Sequence, residues 1–187
     1  MSRLPELNAE ELTAEQREVY DAIQSGPRGK MGLVGPFAVW VRAPTIGNAV
    51  QTLGGVVRFH TSLAEDVKEV AICTVGAHYH AKFEFGAHQR LASQAGVSDA
   101  VIDALREERT PEFDDDAQRI SHAVAYQLLK AHRVDDATYG QAVEAFGEEG
   151  MIELVSVIGY YGLVSMTLNA FEVPLAANMD DPFPDHK

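Results

Sequence analysis

Apolar residues recur every three to four positions along most of the chain, and the strict alternation that marks strands is nearly absent. The first such stretch follows Thr13-Ala14-Glu15-Gln16, a capping box, and carries Val19, Ala22 and Ile23 before Gly26. A second runs from about Thr45 to Phe59. Ser62-Leu63-Ala64-Glu65 has the form of another capping box, opening a segment with Val67, Val70, Ala71, Val75 and Ala77. Residues Ala81 to Ala95 read as a further helix, closed by Gly96 where a left-handed residue is wanted. Ser98 caps a short helix to about Glu107, and Thr110-Pro111 interrupts the pattern. Asp114, Asp115 and Asp116 favour the next helix start through the backbone dipole, and that helix reaches about His132. Asp135 caps another, ending near Gly147. The last, roughly Glu149 to Val173, is apolar on every side, through Met151, Leu154, Val157, Ile158, Leu163, Met166 and Leu168. Such a helix needs cover all round, from a central position or from a second subunit. Pro174 ends it, and the tail after residue 175 is expected to be loose. The pattern predicts one all-α domain of about seven helices over residues 1–187.

Between Gly26 and Pro44 four glycines and three prolines forbid a long regular element. Phe37, Val39, Trp40 and Val41 lie in the same stretch, so it is either a binding element or a loop packed over the core.

Composition narrows the function classes. Acidic residues outnumber basic ones 28 to 15, giving a net charge of −13, which repels phosphate backbones and anionic lipid headgroups. No nucleic-acid or membrane partner is therefore expected. No uninterrupted apolar run reaches the roughly 18 residues of a membrane span, and the N-terminus, MSRLPELNAEEL, does not read as a signal peptide. A cytoplasmic location is expected. Cys73 is the only cysteine, so an internal disulfide, a CxxC pair and a four-cysteine zinc site are excluded.

Candidate chemistry gathers at His78-Tyr79-His80-Ala81-Lys82-Phe83-Glu84-Phe85-Gly86-Ala87-His88. At helical spacing Glu84 and His88 lie about 40° apart and share a face. His88, with an ordinary pKa of roughly 6.5, suits proton exchange near neutrality, and Glu84 would orient its ring. Glu69 lies on the preceding helix with Cys73 one turn later; the spacing permits Glu69 to meet His88 if the two helices pack antiparallel around the His78–His80 turn. Three readings remain open on spacing alone: surface histidines beside a helix-start glutamate, a metal site from His78, His80, Glu84 and His88, or an acid–base site. Cys73 reads as a small buried hydrophobe.

KEVAICTV with Glu69, EFGAHQRLA with Glu84 and His88, and ELVSVIGYYGLVSMTLNAFEVPL together resemble the carboxymuconolactone decarboxylase family, whose fold is named for alkylhydroperoxidase D (AhpD). The resemblance covers about residues 36–175. It implies an AhpD-like helical fold and assembly as a dimer, trimer or hexamer. In the peroxidase branch the pattern is a glutamate, eleven residues, CxxC, three residues and a histidine. Glu69 and His88 stand at the right separations, whereas the cysteine positions fall on Ala81 and Glu84. Thiol redox chemistry is thus missing, since neither side chain can attack peroxide or resolve a disulfide.

The decarboxylase branch works without those cysteines, and it implies a cofactor-independent enzyme moving protons on a small carboxylated or lactone-type metabolite. In that reading His88 is the acid–base group, Glu84 its orienter, Glu69 a second proton carrier, and His80 a hydrogen-bond donor to a carbonyl or enolate oxygen. Arg58, Lys82 or Arg90 would anchor a substrate carboxylate; Trp40, Tyr160, Tyr161 and Asn169 are pocket or interface candidates. Neither metal nor cofactor is required. The alternatives are a peroxidase using Cys73 in an unusual way and a non-catalytic, ligand-binding oligomer, which predicts a closed or polar-empty pocket at His88.

Overall fold

A computed structural model describes residues 2–27 and 29–184. Among the described residues there are eight α-helices, a short 3₁₀ turn at Ala9–Glu11, and no strand. Each helix begins where local chemistry allows. Thr13 forms the full capping box of α1 (Ala14–Ser25). Pro44 takes the first position of α3 (Pro44–Phe59), where a missing N–H costs nothing. Ser98, Asp115 and Asp135 accept backbone N–H groups at the starts of α6 (Asp99–Arg106), α7 (Asp116–Ala131) and α8 (Asp136–Ala170).

The expected capping box at Ser62 does not form. Helix α4 (Glu65–His78) begins behind Ala64 with no side-chain cap. Ser62 is held instead by Glu153 of α8, whose carboxylate accepts its hydroxyl at 2.7 Å and its N–H at 2.9 Å. Within the glycine- and proline-rich segment one turn of helix appears, α2 (Phe37–Trp40), buried through Phe37, Val39 and Trp40.

Helix α4 is the centre of the domain, packed by α5 (Lys82–Gln94), α6, α7 and α8. Every residue from Val67 to Ala77 is buried, Lys68 and Glu69 included. The α4–α5 hairpin turns at His80, which takes the left-handed conformation at φ 46°, and Gly76 lets the backbone of Phe85 approach closely. The main core runs from Val19 and Trp40 through Ile72 and Val75 to Leu154, Val157 and Leu168. A smaller cluster, with Cys73, Phe85 and Val101, lies under α5 and α6. Fully burying a side chain such as Phe85 contributes about 1.5–3 kcal/mol.

Helix α8 breaks at Gly147, with φ 72° and ψ 174°, so the separate helices expected before and after that residue are present as two arms. Its apolar arm contains a stretch of membrane-spanning length and mean hydropathy 1.5, which the absence of an uninterrupted apolar run in the sequence did not lead us to expect; 61% of that stretch is buried inside the protein, as in a core helix. The tail corrects another expectation. Residues 176–184 fold back over α5: Phe183 is buried against Phe85 and His80, and Asp181 accepts from Lys82 Nζ at 2.7 Å. Residues 185–187 lie outside the described part.

Candidate active site

The antiparallel α4–α5 hairpin brings Glu69 to His88. Glu69 Oε2 lies 2.6 Å from His88 Nδ1, and Glu84 Oε1, one helical turn before His88, lies 3.0 Å from Nε2. The imidazole is therefore clamped between two carboxylates, with the edge of Tyr161 against it at a ring separation of 4.9 Å. Glu69 is completely enclosed, and its other oxygen faces Arg58 Nη2 at 3.1 Å. Arg58 also pairs with Glu65, and Lys68 Nζ, itself 2.7 Å from Glu65, donates to the Arg58 carbonyl. A chain of alternating charge thus runs from the surface of α4 to the imidazole.

Electrostatics fixes the protonation of this group. Burial alone lowers a histidine's pKa, but the negative charges of Glu69 and Glu84 outweigh it and raise His88 to about 10. At neutral pH the ring is an imidazolium with a proton on each nitrogen. This corrects the expectation that both forms of His88 are accessible near neutrality. Burial, then the same carboxylates, pushes the Tyr161 phenol well above its ordinary value, so it stays protonated.

His88 and Glu84 open onto a cavity of about 400 Å³ between α2, α3, α5 and α8. Its walls are largely aromatic, with Phe37, Phe59, Phe83, Tyr160 and Tyr161, and Leu91 and Val164 complete them. Arg58 and His88 are its cationic lining residues among those described. Glu69 does not reach the cavity. Both carboxylates hold the ring, Glu69 at Nδ1 away from the cavity and Glu84 at Nε2 in the cavity lining.

The remaining candidates scatter. His80 turns away with the left-handed bend and pairs with Glu108, Nε2 to Oε1 at 3.0 Å, remote from the cavity lining. Trp40 packs behind the wall, edge-on to Phe37 and tilted against Tyr160, and does not line the cavity. Asn169 donates from Nδ2 to the Tyr79 carbonyl at 2.6 Å, Lys82 is engaged by Asp181, and Arg90 is exposed at a separate groove. His78 and His80 lie away from Glu84 and His88, so the four do not converge, and no group of three or more His, Cys, Asp or Glu side chains among the described residues is placed to hold a metal ion. Cys73 is fully buried, and burial followed by the charges of Glu69 and Glu84 pushes its thiol well above the ordinary value. Sequence reasoning missed Phe83, Ala87 and Leu91, although the i, i+4 spacing that joined Glu84 to His88 sets them on the same face of α5.

No protein-family model matches the sequence, and no curated protein matches it. Solved structures do match in three dimensions. An uncharacterized peroxidase-related protein from Ralstonia eutropha JMP134, described as an alkylhydroperoxidase AhpD core, superposes with a TM-score of 0.76 at 18% identity, covering 94% of this chain and 93% of that one. One from Silicibacter sp. TM1040 gives 0.72 at 14% identity, covering 94% and 92%. A cysteine-to-alanine variant of the debrominase Bmp8, in complex with 2,3,4-tribromopyrrole, gives 0.71 at 16% identity, covering 92% and 90%. At these identities the likeness is one of fold: the chain has the AhpD-like helical fold.

Proposed function

We propose that this chain is a cofactor-independent proton-transfer enzyme acting on a small carboxylated or lactone-type metabolite, with decarboxylation the nearest precedent. The observation that carries the reading is the His88 ring clamped between Glu69 and Glu84 at the wall of an aromatic cavity. An open cavity with His88 in its wall supports an enzyme over a non-catalytic binding oligomer. The burial of Cys73 and its raised thiol pKa argue against a peroxidase built on that residue.

The chemistry follows from the charges. A substrate carboxylate near Arg58 meets a guanidinium already neutralised by Glu65 and Glu69, inside mostly apolar walls. Leaving as neutral CO₂ removes a poorly solvated charge. The C–C bond to the carboxylate breaks, and its electron pair passes into a conjugated carbonyl as an enolate. The enolate carbon takes a proton from Glu84, which receives it from His88 Nε2, and solvent restores the imidazolium. Glu69 keeps the ring in place throughout. Turnover of carboxylated lactones, followed by CO₂ release and by deuterium uptake from heavy water, tests the reading. His88→Ala should reduce turnover at least 100-fold with the fold intact; undiminished turnover removes the proposal.

Self-association belongs to the same reading. It is supported by an exposed apolar stripe on α8, formed by Ile152, Val155, Leu163 and Met166, beside Ile46, Leu53 and Val56 of α3.

A further inference from the structure

Proton transfer at His88 leaves one developing charge without a partner. When the C–C bond to a carboxylate breaks, negative charge appears on the oxygen of the conjugated carbonyl, and a fixed donor at that oxygen lowers the barrier. His80, expected in that role, is held by Glu108 and does not line the cavity. Nor can His88 supply it, because its two ring nitrogens face Glu69 and Glu84.

Tyr161 is placed differently. It sits on the buried arm of α8, is 4% exposed, and lines the cavity with its ring 4.9 Å from that of His88. Its hydroxyl makes no hydrogen bond with any described residue; Glu84, Glu69 and Arg58 act on it through their charges alone. The oxygen is not sealed in either, unlike the orphaned Ser165 hydroxyl on the same helix. Buried polar groups seldom go without a partner, so a phenol left unpaired in a cavity wall is set to meet what enters the cavity. Burial, then Glu84 and Glu69, keeps its proton in place at neutral pH. The same carboxylates disfavour a phenolate, so the hydroxyl donates a hydrogen bond and retains its proton.

We propose that the Tyr161 hydroxyl is a catalytic hydrogen-bond donor to a carbonyl oxygen of the substrate, and that the substrate is a 3-oxo acid or its conjugated equivalent. The inference rests on the decarboxylation reading above and names the electron sink it requires. In a 3-oxo acid the carboxylate, the carbon to be protonated and the carbonyl are three consecutive carbons, matching Arg58, Glu84 and Tyr161 around one cavity. The C–C bond to the carboxylate breaks and CO₂ leaves. The electron pair forms a C=C bond and displaces the carbonyl π pair onto the oxygen that Tyr161 holds. Protonation of the middle carbon through Glu84 returns that pair to the C=O bond, so one proton is consumed and no redox partner is needed. The aromatic walls favour a 3-aryl substituent, and the space of about 400 Å³ holds one ring with its side chain, since roughly 150 Å³ already admits benzene.

Benzoylacetate as substrate, and its decarboxylation product acetophenone labelled with ¹³C at the carbonyl, test the proposal on wild type and Tyr161→Phe. The infrared carbonyl band of bound acetophenone should lie at lower frequency in the wild type, and the variant should bind it about fivefold more weakly, the loss of one ordinary hydrogen bond. Benzoylacetate turnover in the variant should fall at least 100-fold in kcat with KM little changed. Urea denaturation should be unaltered, because the deleted hydroxyl has no partner in the protein. A carbonyl band at the same frequency in both proteins overturns the proposal, as does failure of acetophenone to bind or a loss of stability in Tyr161→Phe. A shifted band in a wild type that does not decarboxylate benzoylacetate removes the decarboxylation reading and leaves Tyr161 as the carbonyl donor.

Discussion

Glu69 Oε2 and His88 Nδ1 lie 2.6 Å apart across the α4–α5 interface, the carboxylate enclosed and the imidazole backed on its other side by Glu84. A buried ion pair of this kind is expensive to leave half made. The carboxylates raise His88 to about 10 from 6.5, so the native state holds a proton that the unfolded chain releases. The stabilisation is complete below about pH 6.5, declines as pH rises, and is gone above about 10. Urea denaturation at pH 6, 8 and 10 should show stability falling, and His88→Gln should flatten that slope. Ring N–H signals from both nitrogens of His88 should persist at pH 8.

The two carboxylates should separate on substitution. Glu69→Gln leaves Arg58 and the imidazolium without their shared counter-charge and is expected to cost roughly 3–5 kcal/mol. Glu84 lines the cavity and has no second cation beside it among the described residues, so Glu84→Gln should cost nearer 1–2 kcal/mol while abolishing turnover. Equal losses in urea denaturation would contradict the assigned asymmetry.

The meeting of Glu69, Glu84 and His88 was legible in the sequence because it is nearly local: one pair shares a helix face, and a short turn makes the hairpin antiparallel. What could not be read depends on distant contacts. Ser62 loses its capping role to Glu153, 91 residues away, and Asn169 is occupied by a carbonyl 90 residues away. His80 looked like part of the cluster until its left-handed backbone turned it towards Glu108. Similarly, only the assembled fold shows that Glu84 lines the cavity and Glu69 does not.

Cys73 should behave as a silent thiol. It is fully buried, with its pKa pushed upward, so a disulfide reagent should react with it only as fast as the domain unfolds. Cys73→Ala should leave turnover unchanged and cost about 1 kcal/mol of stability. Rapid labelling of the folded protein would show that the small cluster around Cys73 opens to solvent.

Gly47 tests the packing of the segment that walls the cavity. A Cβ there would lie 2.3 Å from the Trp40 carbonyl oxygen, backbone against side chain, with no flexible end to give way. Helix propensity alone favours alanine over glycine by about 1 kcal/mol, yet Gly47→Ala should destabilise the domain by about 1–3 kcal/mol through overpacking. Gly140, also helical but with open space where its Cβ would stand, is the control, and Gly140→Ala should be neutral or stabilising. Thermal denaturation of the two variants decides the sign.

The stripe of Ile152, Val155, Leu163 and Met166 faces outward along α8 at helical spacing, over about 21 Å. Ile46, Leu53 and Val56 are likewise exposed on the neighbouring α3, and exposed apolar patches mark association sites. A second copy of this chain, packing the same stripe against itself, would bury both faces through one self-complementary contact. Light scattering should give a mass above that of one chain. Leu163→Glu, on a side chain 38% exposed, places a like charge on each side of such a contact. It should yield monomers with unchanged circular dichroism and a lower Tm, because the lost partner no longer stabilises the fold by mass action. A wild-type protein that runs as a monomer at micromolar concentration would leave the stripe without its second copy.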